Sequence, residues 1–141
     1  MTRLTLAQAN TILAAALEAS RQGGYRPMGI VVLDDAGQVK ALQREDGANA
    51  FRIDVATGKA FAAVGMGSSS RAVAERAKDN PNFFVTLAAT AHGRFLPQTG
   101  AVLIKDAQGQ ILGAVGASGG TGDEDEAICI AGVLAAGLQH K

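Results

Sequence analysis

Residues 99–120, TGAVLIKDAQGQILGAVGASGG, are the stretch from which the fold can be read. Residues 101–104 and 111–115 are rich in the aliphatic and β-branched side chains that are typical of buried strands. Between these two runs, residues 106–109 (DAQG) have the composition of a tight turn. The pattern therefore predicts an antiparallel hairpin.

A second hairpin is predicted nearer the start of the chain. Residues 30–33 form another β-rich run, residues 35–37 (DAG) form a turn signal, and residues 39–43 partly alternate between apolar and polar side chains. No strand-helix-strand alternation is present. The two hairpins are therefore expected to form an antiparallel sheet rather than a parallel one.

Helical periodicity fills the segments around the hairpins. Thr5 is placed to cap a first helix, and the Gly23–Gly24 pair is placed to end it. The segment 51–64 also has a helical period, although it contains Gly58, which costs about 1 kcal/mol against alanine inside a helix. A glycine at such a position predicts that another part of the chain packs closely against it. A short helix is expected after Gly67, and either a further helix or an irregular apolar segment is expected around Pro81.

The last helix is predicted to run from Thr121 to about Leu138. One face of this helix is expected to be buried, and its apolar members are Ile128, Ala131, Leu134 and Leu138. The element order is then helix, hairpin, helices, hairpin, helix. This order predicts an α+β domain in which helices flank an antiparallel sheet.

Length and charge limit the class of protein and its partners. The chain has 141 residues, with 13 basic and 13 acidic side chains and a formal net charge of zero. Without a run of lysine or arginine, neither nucleic acid nor an acidic membrane surface is expected as a partner. No stretch reaches the ~18 apolar residues of a membrane span, and the first residues do not resemble a secretion signal. We expect one domain over residues 1–141 and a cytoplasmic location.

The segment 118–126, SGGTGDEDE, has the glycines of a phosphate-binding loop but acids where such a loop needs a lysine. Thr121 and Glu124 have the spacing of a capping box, and acids in a first helical turn complement the helix dipole. The segment is therefore interpreted mainly as a helix start. Asp125 and Glu126 remain candidates for accepting a proton or holding a ligand.

Two other segments are candidates for binding an anion. In residues 65–75, GMGSSSRAVAE, three serines and Arg71 lie at a predicted helix start, where backbone N–H groups can bind a carboxylate. Simple capping by a serine is the competing interpretation. The second segment contains mixed charges that could form a solvated, salt-bridged surface or line a cleft. Its members are Arg44, Asp46, Arg52, Asp54 and Lys59.

Few side chains could bind a metal or a heme iron. The possible donors are His92, His140, Cys129, Tyr25, Met28 and Met66. His92 precedes a Gly–Arg turn and is the histidine expected to be fixed, whereas His140 is expected to fray. Cys129, the only cysteine, excludes an internal disulfide and is interpreted as a small buried hydrophobe.

Three segments together resemble the GlcG/HbpS family, which includes the C-terminal domain of PduO. They are GIVVLDDAGQVKALQREDGA (29–48), IDVATGKAFAAVGMG (53–67) and GAVLIKDAQGQILGAVGASGGTGDEDEAICIAG (100–132), in this order and spacing. The resemblance implies a profilin-like fold with a five-stranded antiparallel sheet between helices. It also implies self-association into a homo-oligomer and the binding of heme.

Three hypotheses for function follow. In the leading one, the chain is a GlcG/HbpS-like protein that binds a small ligand, with heme as the first candidate. Heme propionates would pair with basic side chains, and His92 or Tyr25 would bind the iron. The basic candidates are Arg44, Arg52, Lys59 and Arg71.

The rival hypothesis is a cofactor-free enzyme, of the tautomerase or isomerase type, that acts on a carboxylated catabolic intermediate. Arg52 or Arg71 would hold the carboxylate. The candidates for moving the proton are Tyr25, His92, Asp125 and Glu126. The third hypothesis is an interaction protein without a small ligand.

Overall fold

The computed structural model describes residues 3–141, and within them the chain forms five helices and four strands. In chain order these are α1 Leu6–Gly23, β1 Gly29–Asp34, β2 Val39–Arg44, α2 Phe51–Met66, α3 Ser70–Asp79, α4 Pro81–Thr90, β3 Ala101–Lys105, β4 Ile111–Ser118 and α5 Gly122–Ala135. Both predicted hairpins and the predicted order of elements are confirmed. In this part of the chain, none of the helices combines the length and the apolarity needed to cross a membrane.

The two hairpins join through their inner strands into one antiparallel sheet of order β2-β1-β4-β3. Strand β1 pairs with β4 so that Gly29 lies opposite Ser118 and Asp34 lies opposite Gly113. Side chains alternate between the two faces of the sheet. Ile30 and Val32 pack in the cluster formed with α1 and α5, whereas Val31 packs against α2. The α+β class is therefore confirmed, with helices on both faces of the sheet.

The predicted number of strands is wrong, because four rather than five are present within residues 3–141. At the outer edge of β3, Gln139 forms a single antiparallel bridge with Lys105. The Lys105 N–H donates to the Gln139 carbonyl at 2.7 Å, and the Gln139 N–H donates back at 2.9 Å. One bridged residue satisfies one exposed pair of backbone groups but does not constitute a strand.

Helix α1 begins and ends where the sequence predicts. Thr5 and Gln8 form a reciprocal capping box at its start, and Gly24 adopts a left-handed conformation at its end. One face of the helix is buried against α5 and the sheet; its buried residues are Ala9, Ile12, Leu13, Ala16, Leu17 and Ser20. Packing of this face fixes where α5 lies over the sheet.

The buried face of helix α5 shares only Ile128 with the predicted one. Leu134, expected in the core, is 56% exposed. The buried face is Asp125, Ile128, Cys129, Gly132 and Val133. Gly132 belongs to it because a Cβ at this position would lie 2.6 Å from the Ile12 carbonyl oxygen of α1. Close contact between the two helices therefore selects the face, and it turns the Asp125 carboxylate inward.

Gly58 has the close neighbour that its position in α2 predicts. A Cβ on Gly58 would lie 2.8 Å from the Leu96 Cβ, and the Leu96 N–H donates to the Gly58 carbonyl at 3.1 Å. The segment between α4 and β3 is thereby held against α2. As a result, Gln98 and Thr99 are held close to the end of strand β4.

Candidate functional site

A cleft of about 460 Å³ lies where strand β4 ends, between α2 and the start of α5. We call it the Arg52 cleft. It is lined by Arg52, Val55, Lys59, Leu96, Gln98, Thr99, Ser118, Gly120, Thr121, Gly122, Asp123 and Asp125. Its volume is within the range of pockets that bind small molecules.

A buried ion pair forms one wall of the Arg52 cleft. Lys59 Nζ lies 2.9 Å from Asp125 Oδ2, and the two side chains are only 8% and 1% exposed. Nζ also donates to the Ala117 carbonyl at 3.1 Å, while Asp125 Oδ1 accepts from the Gly120 N–H at 2.9 Å. An ammonium group has three N–H donors, so Lys59 can donate to one further acceptor. The pair connects α2, β4 and α5 at the cleft.

The backbone around Lys59 is shaped to admit its side chain. Gly100 has φ +141°, and a Cβ at this position would lie 2.6 Å from Lys59 Nζ. The Gly100 carbonyl also accepts a contact from Cys129 Sγ at 3.6 Å. Burial raises the pKa of the Cys129 thiol well above its ordinary value, so Cys129 remains protonated. Cys129 is thus a buried, neutral side chain behind the ion pair, as the sequence indicates.

Arg52 brings a second cation to the cleft from the first turns of α2. Its Nη1 donates to Ser118 Oγ at 3.2 Å, and the residue as a whole is partly exposed. The first turn of α5 faces the same space, and the positive end of its dipole favours an anion there. The capping box predicted for Thr121 and Glu124 is confirmed, so the Thr121 hydroxyl is engaged with the Glu124 N–H.

Arg71 and Glu126 lie together, but on a different surface. Arg71 binds Glu126 through its Nε and Nη2 atoms at 3.1 Å, and it also pairs with Asp123. Hydrogen bonds to Glu126 and then to Asp123 raise the pKa of Arg71 above its ordinary value. Both residues line a second cavity of about 680 Å³, which we call the His140 groove. Its other lining residues are Gly67, Ser68, Ser69, Ala72, Val102, Leu103, Lys105, Ile130, His140 and Lys141.

The remaining predicted site residues lie outside the Arg52 cleft. Tyr25 lies over Gly23 and lines a separate cavity, which shares only Gly120 and Thr121 with the cleft. Arg44 donates to the Ala48 carbonyl at 2.7 Å on the exposed edge strand. His92 is exposed at the end of α4, with φ 57°. The structure thus gathers Arg52, Lys59 and Asp125 and separates Tyr25, Arg44 and His92 from them.

Sequence patterns did not identify four of the polar residues that line the cleft as candidates for binding or catalysis. They are Gln98, Thr99, Ser118 and Asp123. Gln98 and Thr99 lie in an irregular segment, which contacts between distant residues, such as that of Leu96 with Gly58, place over α2. Ser118 could have been found from its position at the end of a predicted strand, directly before the glycine loop.

Comparisons with solved structures find proteins of the same fold. HbpS from Streptomyces reticuli, solved as a double mutant, is 30% identical, with a TM-score of 0.82 over 95% of this chain and 87% of that chain. The PduOC–heme complex is 21% identical, with a TM-score of 0.86 over 99% of both chains. Klebsiella pneumoniae ORFY is 22% identical, with a TM-score of 0.86 over 97% of this chain and 93% of that chain. The likeness to PduOC and ORFY shows the fold alone.

Sequence comparison identifies the family. None of the curated proteins compared with this chain matches it. A family model described as "Haem degrading protein HbpS-like" matches residues 4–134. This range includes the sheet, the Arg52 cleft and nearly all of α5. The chain therefore belongs to the HbpS-like family.

Proposed function

We propose that this protein binds a small anionic ligand and that heme is the first candidate. The observation that carries the proposal is Arg52, which forms no ion pair within residues 3–141 and lines a cleft at the start of a helix, beside Lys59, whose charge is balanced by Asp125. Membership of a family described as haem-degrading supports heme as the ligand. Heme has two propionate groups, and an arginine that can bind a carboxylate in bidentate fashion suits them.

The residues of the Arg52 cleft fit the propionates of heme but not its iron. Iron in heme proteins is bound by histidine, cysteine, methionine or tyrosine. The residues that line the cleft include none of these four. Within residues 3–141, no three His, Cys, Asp or Glu side chains lie close enough together to hold a metal ion either. If heme is bound, it supplies redox and ligand-binding chemistry at its iron, and a donor outside the cleft must hold that iron.

Hemin titration tests the ligand. We expect addition of hemin to the purified protein at micromolar concentration to shift the Soret band and to saturate with a defined stoichiometry. The shift arises because a protein ligand and an apolar pocket change the environment of the iron. Ribonuclease A at the same concentration serves as the reference for nonspecific binding, and buffer alone serves as the reference for free hemin. An unchanged Soret band would remove heme as the ligand.

A second candidate function is supported by the Lys59–Asp125 pair itself. In a cofactor-free tautomerase or isomerase, Arg52 would hold the carboxylate of the substrate. Asp125 would accept a proton from the carbon next to a carbonyl, and Lys59 would donate a proton to the carbonyl oxygen, which gives the enol. Of the residues proposed from the sequence to move a proton, only Asp125 lines the Arg52 cleft.

Removing Arg52 tests carboxylate binding in the cleft. We expect Arg52→Ala to weaken the binding of pyruvate, measured by isothermal titration calorimetry, by roughly ten- to a hundredfold, because a charged hydrogen bond contributes about 1.5–3 kcal/mol. Arg44→Ala is the matched control, since Arg44 lies on the exposed edge strand and outside the cleft.

Equal affinity of wild-type protein and Arg52→Ala would contradict the assignment of Arg52. Exchange of the methyl protons of pyruvate in deuterated water, followed by NMR, then separates binding from catalysis. Exchange that depends on Asp125 supports the enzyme, whereas binding without exchange supports a binding protein.

A further inference from the structure

The His140 groove has a histidine among its lining residues, which the Arg52 cleft does not. It lies between the start of α3, strand β3, helix α5 and residues 140–141. His140 lies beyond residues 4–134, the part of the chain that the family model matches. The family match therefore assigns no role to His140.

The backbone that carries His140 is held in place, although the sequence suggested that it would fray. Gln139, the preceding residue, exchanges two hydrogen bonds with Lys105 at 2.7 and 2.9 Å. Leu138 donates a further backbone hydrogen bond to the Val133 carbonyl at 3.2 Å. Gln139 is thus fixed to β3, and Leu138 is fixed to α5. The imidazole is consequently presented beside strand β3 from an anchored position.

The lining of the groove suits a large, flat, partly apolar anion. Ala72 and the partly exposed Ile130 supply apolar surface, and the buried strand residues Val102 and Leu103 lie beneath it. Lys105 and Lys141 supply positive charge, and neither forms an ion pair with any residue in the described range 3–141. The volume of the groove, about 680 Å³, exceeds that of the Arg52 cleft. A porphyrin could lie on the apolar part while its propionates pair with the lysines.

A buried hydroxyl in the groove lacks a partner. Ser68 Oγ is shielded from solvent and makes no hydrogen bond to residues 3–141. Buried polar atoms in native proteins almost always have a partner, which can be a ligand. Ser68 lines the groove just before Ser69, the cap of helix α3. An oxygen of a bound carboxylate could accept from this hydroxyl.

We propose that the His140 groove is the heme site of this protein, with the His140 imidazole as the iron ligand and Lys105 and Lys141 as partners of the propionates. This inference rests on the proposal that heme is the ligand. Because the Arg52 cleft offers no donor to the iron, this inference assigns heme to the groove and leaves the cleft for smaller carboxylates, so heme is supported here by the family and not by Arg52. His92, the iron ligand proposed from the sequence, has no role in this arrangement.

Hemin titration of three forms tests the assignment. We expect wild-type protein and His92→Ala to give the same Soret shift, and His140→Ala to lose the shift or to bind hemin at least tenfold more weakly. His92→Ala is the matched control, because it also removes one imidazole but from an exposed turn. Circular dichroism of each variant verifies the fold.

The outcomes separate the two proposals. If the wild-type Soret band does not shift, heme is not the ligand and the proposed heme function fails. If the wild-type band shifts and His140→Ala gives the same spectrum and affinity, heme binding stands but the assignment of His140 is wrong. Lys105→Gln provides a second test: it should weaken hemin binding about tenfold without moving the Soret maximum, since a propionate partner does not touch the iron. Unchanged affinity of this variant would overturn the role of Lys105.

Discussion

Replacing Lys59 by methionine is expected to lower the free energy of unfolding by about 3–5 kcal/mol, since it leaves a buried carboxylate without its counter-ion. The Asp125 side chain is 1% exposed, and after the substitution it would keep only the hydrogen bond from the Gly120 N–H. Methionine preserves most of the volume of the lysine stem, so loss of packing contributes little. Urea denaturation followed by circular dichroism measures the change.

Two further variants separate the buried pair from a general effect of removing a lysine. Lys78→Met removes an ion pair with Glu75 in which both side chains are about two-thirds exposed, and it should change stability by less than about 0.5 kcal/mol. Lys59→Met combined with Asp125→Asn should be more stable than Lys59→Met alone, because the amide carries no charge and still accepts from Gly120. A Lys59→Met protein as stable as Lys78→Met would show that the pair does not hold α2 to α5.

Local patterns predicted the elements of this fold because each pattern acts over a few residues. The hairpin turns, the cap at Thr5, the capping box at Thr121 and the glycine end of α1 are all defined by neighbours in sequence. The buried face of α5 is not defined by neighbours in sequence. Apolar periodicity selected Leu134, whereas contact with α1 buried Gly132, and the ion pair with Lys59 buried Asp125. A glycine and an acid carry no signal of burial in a single sequence.

The sequence indicated which residues could form the site, but it did not indicate how they are arranged in space. Arg52, Lys59 and Asp125 all have chemistry that marks them as candidates, yet Lys59 and Asp125 are 66 positions apart. Their contact depends on the register of β1 against β4 and on the packing of α2. The same limit applies to His140. The sequence predicted that this end of the chain frays, because the bridge that holds it, between Gln139 and Lys105, joins residues that are distant in sequence.

Helix α2 carries both cations of the Arg52 cleft, so its distance from the sheet determines the geometry of the site. Gly116 of β4 allows α2 to pack this close to the sheet because it has no side chain. A Cβ at this position would lie 2.4 Å from the Ala56 carbonyl oxygen and 3.1 Å from the Ala60 Cβ. The first of these neighbours is backbone, which cannot rotate away. Lys59, the residue before Ala60, reaches the Ala117 carbonyl on the strand residue that follows Gly116.

We therefore expect Gly116→Ala to lower the free energy of unfolding by about 1–3 kcal/mol, the usual cost of overpacking a buried interface. Because α2 must move away from β4, the hydrogen bonds from Arg52 to Ser118 and from Lys59 to Ala117 should lengthen. Binding of pyruvate should weaken along with stability. Urea denaturation and calorimetry measure the two effects on the same samples.

Gly65→Ala is the control for this prediction, and it should change stability in the opposite direction. Gly65 lies in the same helix, is exposed, and has no atom within 4 Å of an added Cβ. Alanine there gains helix propensity of up to about 1 kcal/mol without a clash. If Gly116→Ala lowers the free energy of unfolding and Gly65→Ala raises it, loss of a glycine as such is not the cause. Contact between α2 and β4 then controls both the stability and the geometry of the cleft. If Gly116→Ala were as stable as Gly65→Ala, the spacing of α2 from the sheet would not be the feature that places Arg52 and Lys59.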